Sequence, residues 1–192
     1  MIKLGVLISG RGSNLKAILN AIALKTLDAS VEVVVSNRLN PEGFMHAKAC
    51  NIPTFGLHSA NFESKEQFEQ KVADILHEFK VDYVVLAGYM RILGPLFIET
   101  FSNRIINIHP SLLPAFKGLN AQKQALDYGV KVAGCSVHLV NNELDGGKIL
   151  AQTVVPVLPD DTEETLSSRI LAQEHLLLPQ TLQSISNHTI QL

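Results

Sequence analysis

The sequence predicts an α/β fold: a Rossmann-like, open, mainly parallel twisted sheet flanked by helices, with an antiparallel strand pair near the C-terminus. Three observations predict it. Short runs rich in Val and Ile alternate with longer amphipathic segments through the first hundred residues. These runs are apolar on both faces, as parallel strands covered by helices must be. After His109 the texture changes to a Pro-rich loop, one helix and two alternating segments around a turn.

The elements follow in order. Residues 3–9, 31–36, 53–57, 83–87 and 105–109 read as strands. Helical periodicity falls on 14–24, 42–50, 65–79 and 95–100. Ser64 followed by Gln67 is a capping-box signal for the third of these helices. Pro110-Ser111-Leu112-Leu113-Pro114 suits neither a central strand nor a helix interior, so it is a loop. A helix over 121–128 follows, then strands over 131–140 and 148–155 flanking the turn-like 141–147. Asp161, with Glu164 three residues on, signals the start of a helix running to about residue 184. Pro179 is expected to kink or break it. We expect one domain over 1–192, with a phosphate-binding half (1–100) and a catalytic half (101–192).

Composition excludes several function classes. Lys plus Arg is 16 and Asp plus Glu is 18, a formal charge of −2, so no basic excess is present to neutralise a nucleic-acid backbone. Cys50 and Cys135 are far apart and in no Cys-x-x-Cys pair, which speaks against a disulfide framework or a zinc knuckle. No apolar run approaches the ~20 residues of a bilayer span, and the N-terminal run is too short for a signal peptide. A soluble cytoplasmic chain, without nucleic-acid or membrane partners, is the expectation; monomer and homodimer both stay open.

Two regions carry chemistry. Ser9-Gly10-Arg11-Gly12-Ser13-Asn14-Leu15 lies between a buried strand and a helix. Glycines permit a tight turn there, and the helix start offers unpaired N–H groups to an anion. The dinucleotide fingerprint would need Gly where Leu15 stands, and the Walker lysine is absent. A mononucleotide or sugar-phosphate cradle is therefore expected; the plain alternative is a turn with Ser13 as helix cap. Further on, Asn107 and His109 sit two apart at the end of a strand, so both face one side, opposite Ile106 and Ile108. Such a pair can bind an oxyanion, or can merely satisfy a strand end. Ser136 and His138 repeat the spacing, and Asp145 precedes Gly146-Gly147. A carboxylate brought to an imidazole favours its protonated form and can relay a proton through water. The spacing of two histidines and an aspartate matches no metal motif, so no metal is expected.

Together, the 8–15 block, Val85-Leu86-Ala87-Gly88-Tyr89-Met90-Arg91-Ile92-Leu93, Asn107-Ile108-His109-Pro110-Ser111-Leu112-Leu113-Pro114, and Ser136-Val137-His138 with Asp145-Gly146-Gly147 resemble the phosphoribosylglycinamide formyltransferases. These are the folate-dependent glycinamide ribonucleotide transformylases of purine synthesis, and the resemblance spans nearly the whole chain. It implies the Rossmann-like formyltransferase fold and a catalytic trio of Asn107, His109 and Asp145. It implies ribonucleotide binding by Gly12, Ser13, Asn14 and Glu174. It implies a folate pocket lined by Met90, Arg91, Ile92, Leu93, Asn141, Asn142, Glu143 and Leu144, with Lys65 nearby. No tightly bound cofactor is implied; 10-formyltetrahydrofolate would be a consumed co-substrate.

Two positions depart from the family pattern. Relatives often carry Arg where Lys65 stands, and often a histidine within 118–124, where this chain has none and Gln122 is the candidate replacement. Among rivals, a 10-formyltetrahydrofolate hydrolase would share the trio but usually has an added N-terminal domain, for which Lys3 within the first strand leaves no room. A methionyl-tRNA formyltransferase usually needs a C-terminal domain and a basic surface, and sugar-nucleotide formyltransferases are generally longer. A phosphate-binding module without turnover would not need the trio.

Overall fold

The structure is a computed structural model that describes residues 1–190. Seven strands form one sheet: β1 (Ile2–Ile8), β2 (Ala29–Ser36), β3 (Thr54–Gly56), β4 (Tyr83–Leu86), β5 (Ile105–His109), β6 (Val132–Leu139) and β7 (Ile149–Pro156). Their spatial order is β3-β2-β1-β4-β5-β6-β7. Pairing is parallel from β3 to β5 and antiparallel at β5–β6 and β6–β7. This is the mixed, mostly parallel sheet that the alternation of elements predicts.

Six helices flank the sheet: α1 (Ser13–Ala23), α2 (Phe44–Ala49), α3 (Lys65–Glu78), α4 (Pro95–Thr100), α5 (Ala121–Tyr128) and α6 (Glu163–Ser186). Strand alternation sorts side chains between two cores. Leu4, Val6 and Ile8 of β1, Val85 of β4, and Ile106 and Ile108 of β5 face one core, shared with Leu15, Ile18, Phe44, Ala125, Leu166 and Ile170. Leu7, Val84, Leu86 and Ile105 face the other, covered by Phe68, Val72 and Leu76 of α3 and Phe97 of α4. On that second face the apolar surface stops at Ile105. The next positions on the same face are Asn107, His109, and, across the antiparallel pairing, His138 and Ser136.

Two expectations near helix ends are corrected. The N-cap of α6 is Thr162, in a reciprocal capping box with Thr165, and Asp161 with Glu164 does not form one. Asp161 instead takes both guanidinium nitrogens of Arg169, at 2.7 and 2.8 Å, which depresses its carboxyl pKa well below the usual range. The same carboxylate also accepts the Leu158 N–H at 2.7 Å, so it faces the turn before the helix and Arg169 rather than the first-turn N–H groups of α6. Of the kink or break expected at Pro179, the break does not occur, since α6 runs through it. An interior proline costs about 3 kcal/mol. Five buried aliphatic residues of this helix, Leu166, Ile170, Leu178, Leu182 and Ile185, each contribute about 1.5–3 kcal/mol and outweigh it. Ser64 does cap α3, accepting the Gln67 N–H, but Gln67 reaches back to the N–H of Glu63 and not to that of Ser64.

Candidate active site

In this strand order successive strands are added outward on one side from β1 to β3 and then on the other side from β4, and open α/β sheets bind ligands at the carboxyl ends of strands at such a switch point. The turn after β1 and the segment after β4 therefore meet. The Ser9 N–H donates to Gly88 O at 3.2 Å, and the Met90 N–H donates to Ser9 Oγ at 2.7 Å. Gly12 caps α1 in the left-handed region, at φ 70°, and no side chain caps the helix. That conformation favours Gly. A Cβ there would also lie 2.8 Å from the Cα of Gly43, so two backbones close the turn. Ser13 is thus not the cap, and the first-turn N–H groups of α1 stay available to an anion.

Beneath this turn, Asn14 Nδ2 donates to Glu174 Oε2 at 2.7 Å, with both residues buried. One hydrogen of the Asn14 amide is thereby committed to Glu174. The Asn14 Oδ1 has no hydrogen-bond partner. Burial pushes the Glu174 carboxyl pKa up, and the Asn14 amide partly opposes this.

The structure brings Asn107, His109 and Asp145 together and adds His138. Asn107 pairs with His138 across β5–β6, and its Nδ2 lies 3.1 Å from His138 Nε2. The other ring nitrogen of His138 lies 2.8 Å from Leu139 O, so Nδ1 is the donor and Nε2 accepts from Asn107. Burial lowers the His138 pKa and keeps the ring neutral at pH 7, as this tautomer requires. One Asn107 amide hydrogen is thereby spent and its orientation set.

His109 is 6% exposed, with Nε2 2.9 Å from Phe116 O and Nδ1 3.5 Å from Asp145 Oδ2. Both nitrogens thus face oxygens, Nε2 at hydrogen-bond distance and Nδ1 at ion-pair distance. Asp145 Oδ2 also accepts the Gly118 N–H at 2.8 Å, while Oδ1 stands 3.7 Å from His138 Nε2. The loop after β5 is held by Ser136, whose hydroxyl donates to Ser111 O and accepts from the Leu113 N–H. Gln152 on β7 donates to the same hydroxyl and to Leu113 O.

The residues expected around a folate lie on the segment after β4, on α3 and on the 141–147 loop. Met90, Ile92 and Leu144 are large apolar side chains left 69%, 70% and 52% exposed, whereas Leu93 is buried. The Arg91 guanidinium lies 4.7 Å from the Phe68 ring centroid, and Lys65 Nζ is 3.6 Å from Glu69 on the same helix. In the 141–147 loop, the Asn141 side chain accepts the Glu143 N–H, and Glu143 pairs with Lys117 at 2.7 Å. Gln122 makes no contact that assigns it a role. Gln124 instead holds the 117–119 loop by donating to the carbonyls of Lys117 and Leu119.

The sequence marks Ser9, Ser136 and His138 within their motifs without showing their partners, and it carries no signal for Gln152. The period-2 spacing on β6 was the available signal for His138; its register against β5 was not readable. Among the described residues no cluster of three or more His, Cys, Asp or Glu could hold a metal ion, and no helix is long and apolar enough to cross a membrane.

Comparison with known proteins places this geometry. Residues 2–182 match the model of the formyl transferase family. The phosphoribosylglycinamide formyltransferase of Escherichia coli is 41% identical over 91% of this chain and 82% of its own. The trifunctional purine biosynthetic protein adenosine-3 of Gallus gallus is 44% identical over the whole chain, which spans only 19% of that protein. The structure of glycinamide ribonucleotide transformylase 1 from Symbiobacterium toebii superposes with a TM-score of 0.96, at 45% identity over 98% of this chain and 89% of that one. With the strand order, the turn after β1 and the polar cluster on β5 and β6 all in place, the chain belongs to the formyl transferase family.

Proposed function

We propose that this protein transfers the formyl group of 10-formyltetrahydrofolate to the glycyl amine of glycinamide ribonucleotide. The products are N-formylglycinamide ribonucleotide and tetrahydrofolate, and the step belongs to de novo purine synthesis. The observation that carries the reading is the cluster of Asn107, His109, His138 and Asp145 at the carboxyl end of β5.

In this reading Gly12, Ser13 and Asn14 bind the phosphate through backbone N–H groups, and Glu174 meets the ribose. Met90, Arg91, Ile92, Leu93 and the 141–144 loop hold the folate, with Lys65 and Arg91 as flanking cations. Lys65 is a point charge, without the fork of an arginine. The amine nitrogen attacks the formyl carbon, and the carbonyl π electrons move onto oxygen. The free Asn107 N–H and the His109 imidazolium stabilise that oxyanion. Asp145 takes the proton from the attacking nitrogen, directly or through water. The tetrahedral centre collapses, the bond from carbon to folate N10 breaks, and the proton held by Asp145 passes to N10, directly or through water, which restores the carboxylate. No resident cofactor is needed. The setting is the cytoplasm.

The test is absorbance-monitored loss of the formyl group from 10-formyltetrahydrofolate, with and without glycinamide ribonucleotide. Turnover only with the ribonucleotide is expected. Turnover without it would make the protein a hydrolase. No turnover in a folded protein would refute this acceptor.

Glu174 adds a pH-dependent expectation. Its pKa is raised in the fold, so the stability of the native state falls as pH rises from the unfolded value, about 4.3, through the folded one. Glu174→Gln removes the buried charge and keeps an acceptor for Asn14. It is expected to melt at a higher temperature than the native protein at pH 8, with the gap narrowing toward pH 4.5. The same variant is expected to bind the ribonucleotide more weakly. A melting difference independent of pH would show that burial of this charge is not the cause.

A further inference from the structure

One buried carboxylate, which also stands 3.6 Å from the Lys65 ammonium, takes no part in the transfer steps above. Glu69, on α3, is only 7% exposed. Its two oxygens accept the Gly94 N–H at 2.9 and 3.1 Å. Gly94 is the N-cap of α4, Pro95 follows without an N–H, and the third residue of that helix is Phe97. In a capping box an acidic side chain at that third position reaches back to the N-cap N–H. Phe97 cannot, and Glu69 does so from another helix. The fit is close, because a Cβ on Gly94 would lie 2.5 Å from Glu69 Oε2.

The neighbouring residue of α3 acts on the same segment. Phe68 lies under the Arg91 guanidinium and is itself held edge-on by Phe62, with ring centroids 5.4 Å apart. At the other end, the Met90 N–H is tied to Ser9 Oγ. Residues 90–94 are thus suspended between two backbone anchors, with Met90 and Ile92 projecting into solvent between them. This segment has no strand or helix hydrogen bonding of its own to set its position.

We infer that Glu69 is a positioning residue for folate binding: its carboxylate, through the Gly94 N–H, sets where residues 90–93 present their backbone and apolar side chains. The inference rests on the proposal that these residues line the folate pocket. Preorganisation of this kind acts on the ligand that the segment touches and leaves the other substrate alone.

The experiment is steady-state kinetics of Glu69→Ala and Glu69→Gln with each substrate varied in turn. A hydrogen bond to a charged group is strong enough that its loss is expected to raise the KM for 10-formyltetrahydrofolate about tenfold in Glu69→Ala. The KM for the ribonucleotide and kcat should stay within about twofold. Glu69→Gln keeps one acceptor oxygen but loses the charge, and is expected to raise the same KM by a smaller factor, about threefold. If Glu69→Ala fails to fold, Glu69→Gln decides: a rise in the folate KM alone supports the role. A parallel change in both KM values, or none in any constant, overturns it. Absence of turnover in the unmutated protein would overturn the functional reading and this inference with it. Normal turnover with an unchanged folate KM in the variants would overturn the inference alone.

Discussion

Asp145→Asn is expected to lower the rate of formyl transfer about 10²–10⁴-fold, the usual contribution of a positioned general acid or base. The substitution isolates the charge. Asp145 Oδ2 accepts the Gly118 N–H and faces His109 Nδ1. An asparagine can keep its oxygen toward Gly118, so the contact between the 118 and 145 loops survives. It cannot accept the proton that leaves the attacking amine, and it removes the negative partner of the imidazolium. Binding of both substrates should change little, and the melting temperature should stay near that of the native protein. The check is single-turnover transfer at saturating substrates, alongside calorimetric binding of each. A rate within tenfold of native would mean that another group takes the proton.

Asn107→Ala is expected to lower kcat about 10²–10³-fold, as removal of an oxyanion donor does elsewhere. It also leaves His138 Nε2 without the donor that now satisfies it. His138→Ala should be milder, because it frees the Asn107 amide to rotate without deleting it. If His138 acts through Asn107, the double variant should be no slower than Asn107→Ala alone. Additive losses in kcat would instead give His138 a role of its own. Circular dichroism and melting on all three variants separate these effects from unfolding.

Much of this fold was legible because its signals are local. β5 and α5 fall where the Val/Ile run and the helical periodicity place them, and the remaining strands and most helices lie within one or two residues of expectation. The errors cluster at the start of α6, where several candidate caps stand side by side. Asp161, Thr162, Glu164 and Thr165 all have capping chemistry, and the sequence does not show that Arg169 will claim Asp161. Pro179 misleads for a related reason. The penalty for proline is local and visible, while the burial that offsets it comes from residues distant in sequence.

The site divides along the same line. Asn107 and His109 were readable as a pair, because two residues on one strand necessarily share a face. The glycine turn was readable as a turn leading into a helix start, because a strand, a Gly-rich turn and a helix start form one continuous segment. The identity of the helix cap was not. Gly12 rather than Ser13 caps α1, since the approach of Gly43 makes the left-handed residue the cap.

By itself, then, the sequence determined the class of fold, the two chemical segments and the residue types that can polarise a carbonyl and move a proton. Each depends on spacings of a few residues, which strand and helix periodicity convert directly into geometry. Only the tertiary structure decided which groups are partners. The β5–β6 register sets His138 against Asn107, the meeting of the 118 and 145 loops brings Asp145 to His109, and α3 delivers Glu69 to Gly94. Asn14 meets Glu174 across 160 residues. Such contacts depend on how whole elements pack, and no local pattern encodes the distance between two elements that meet only in the folded chain.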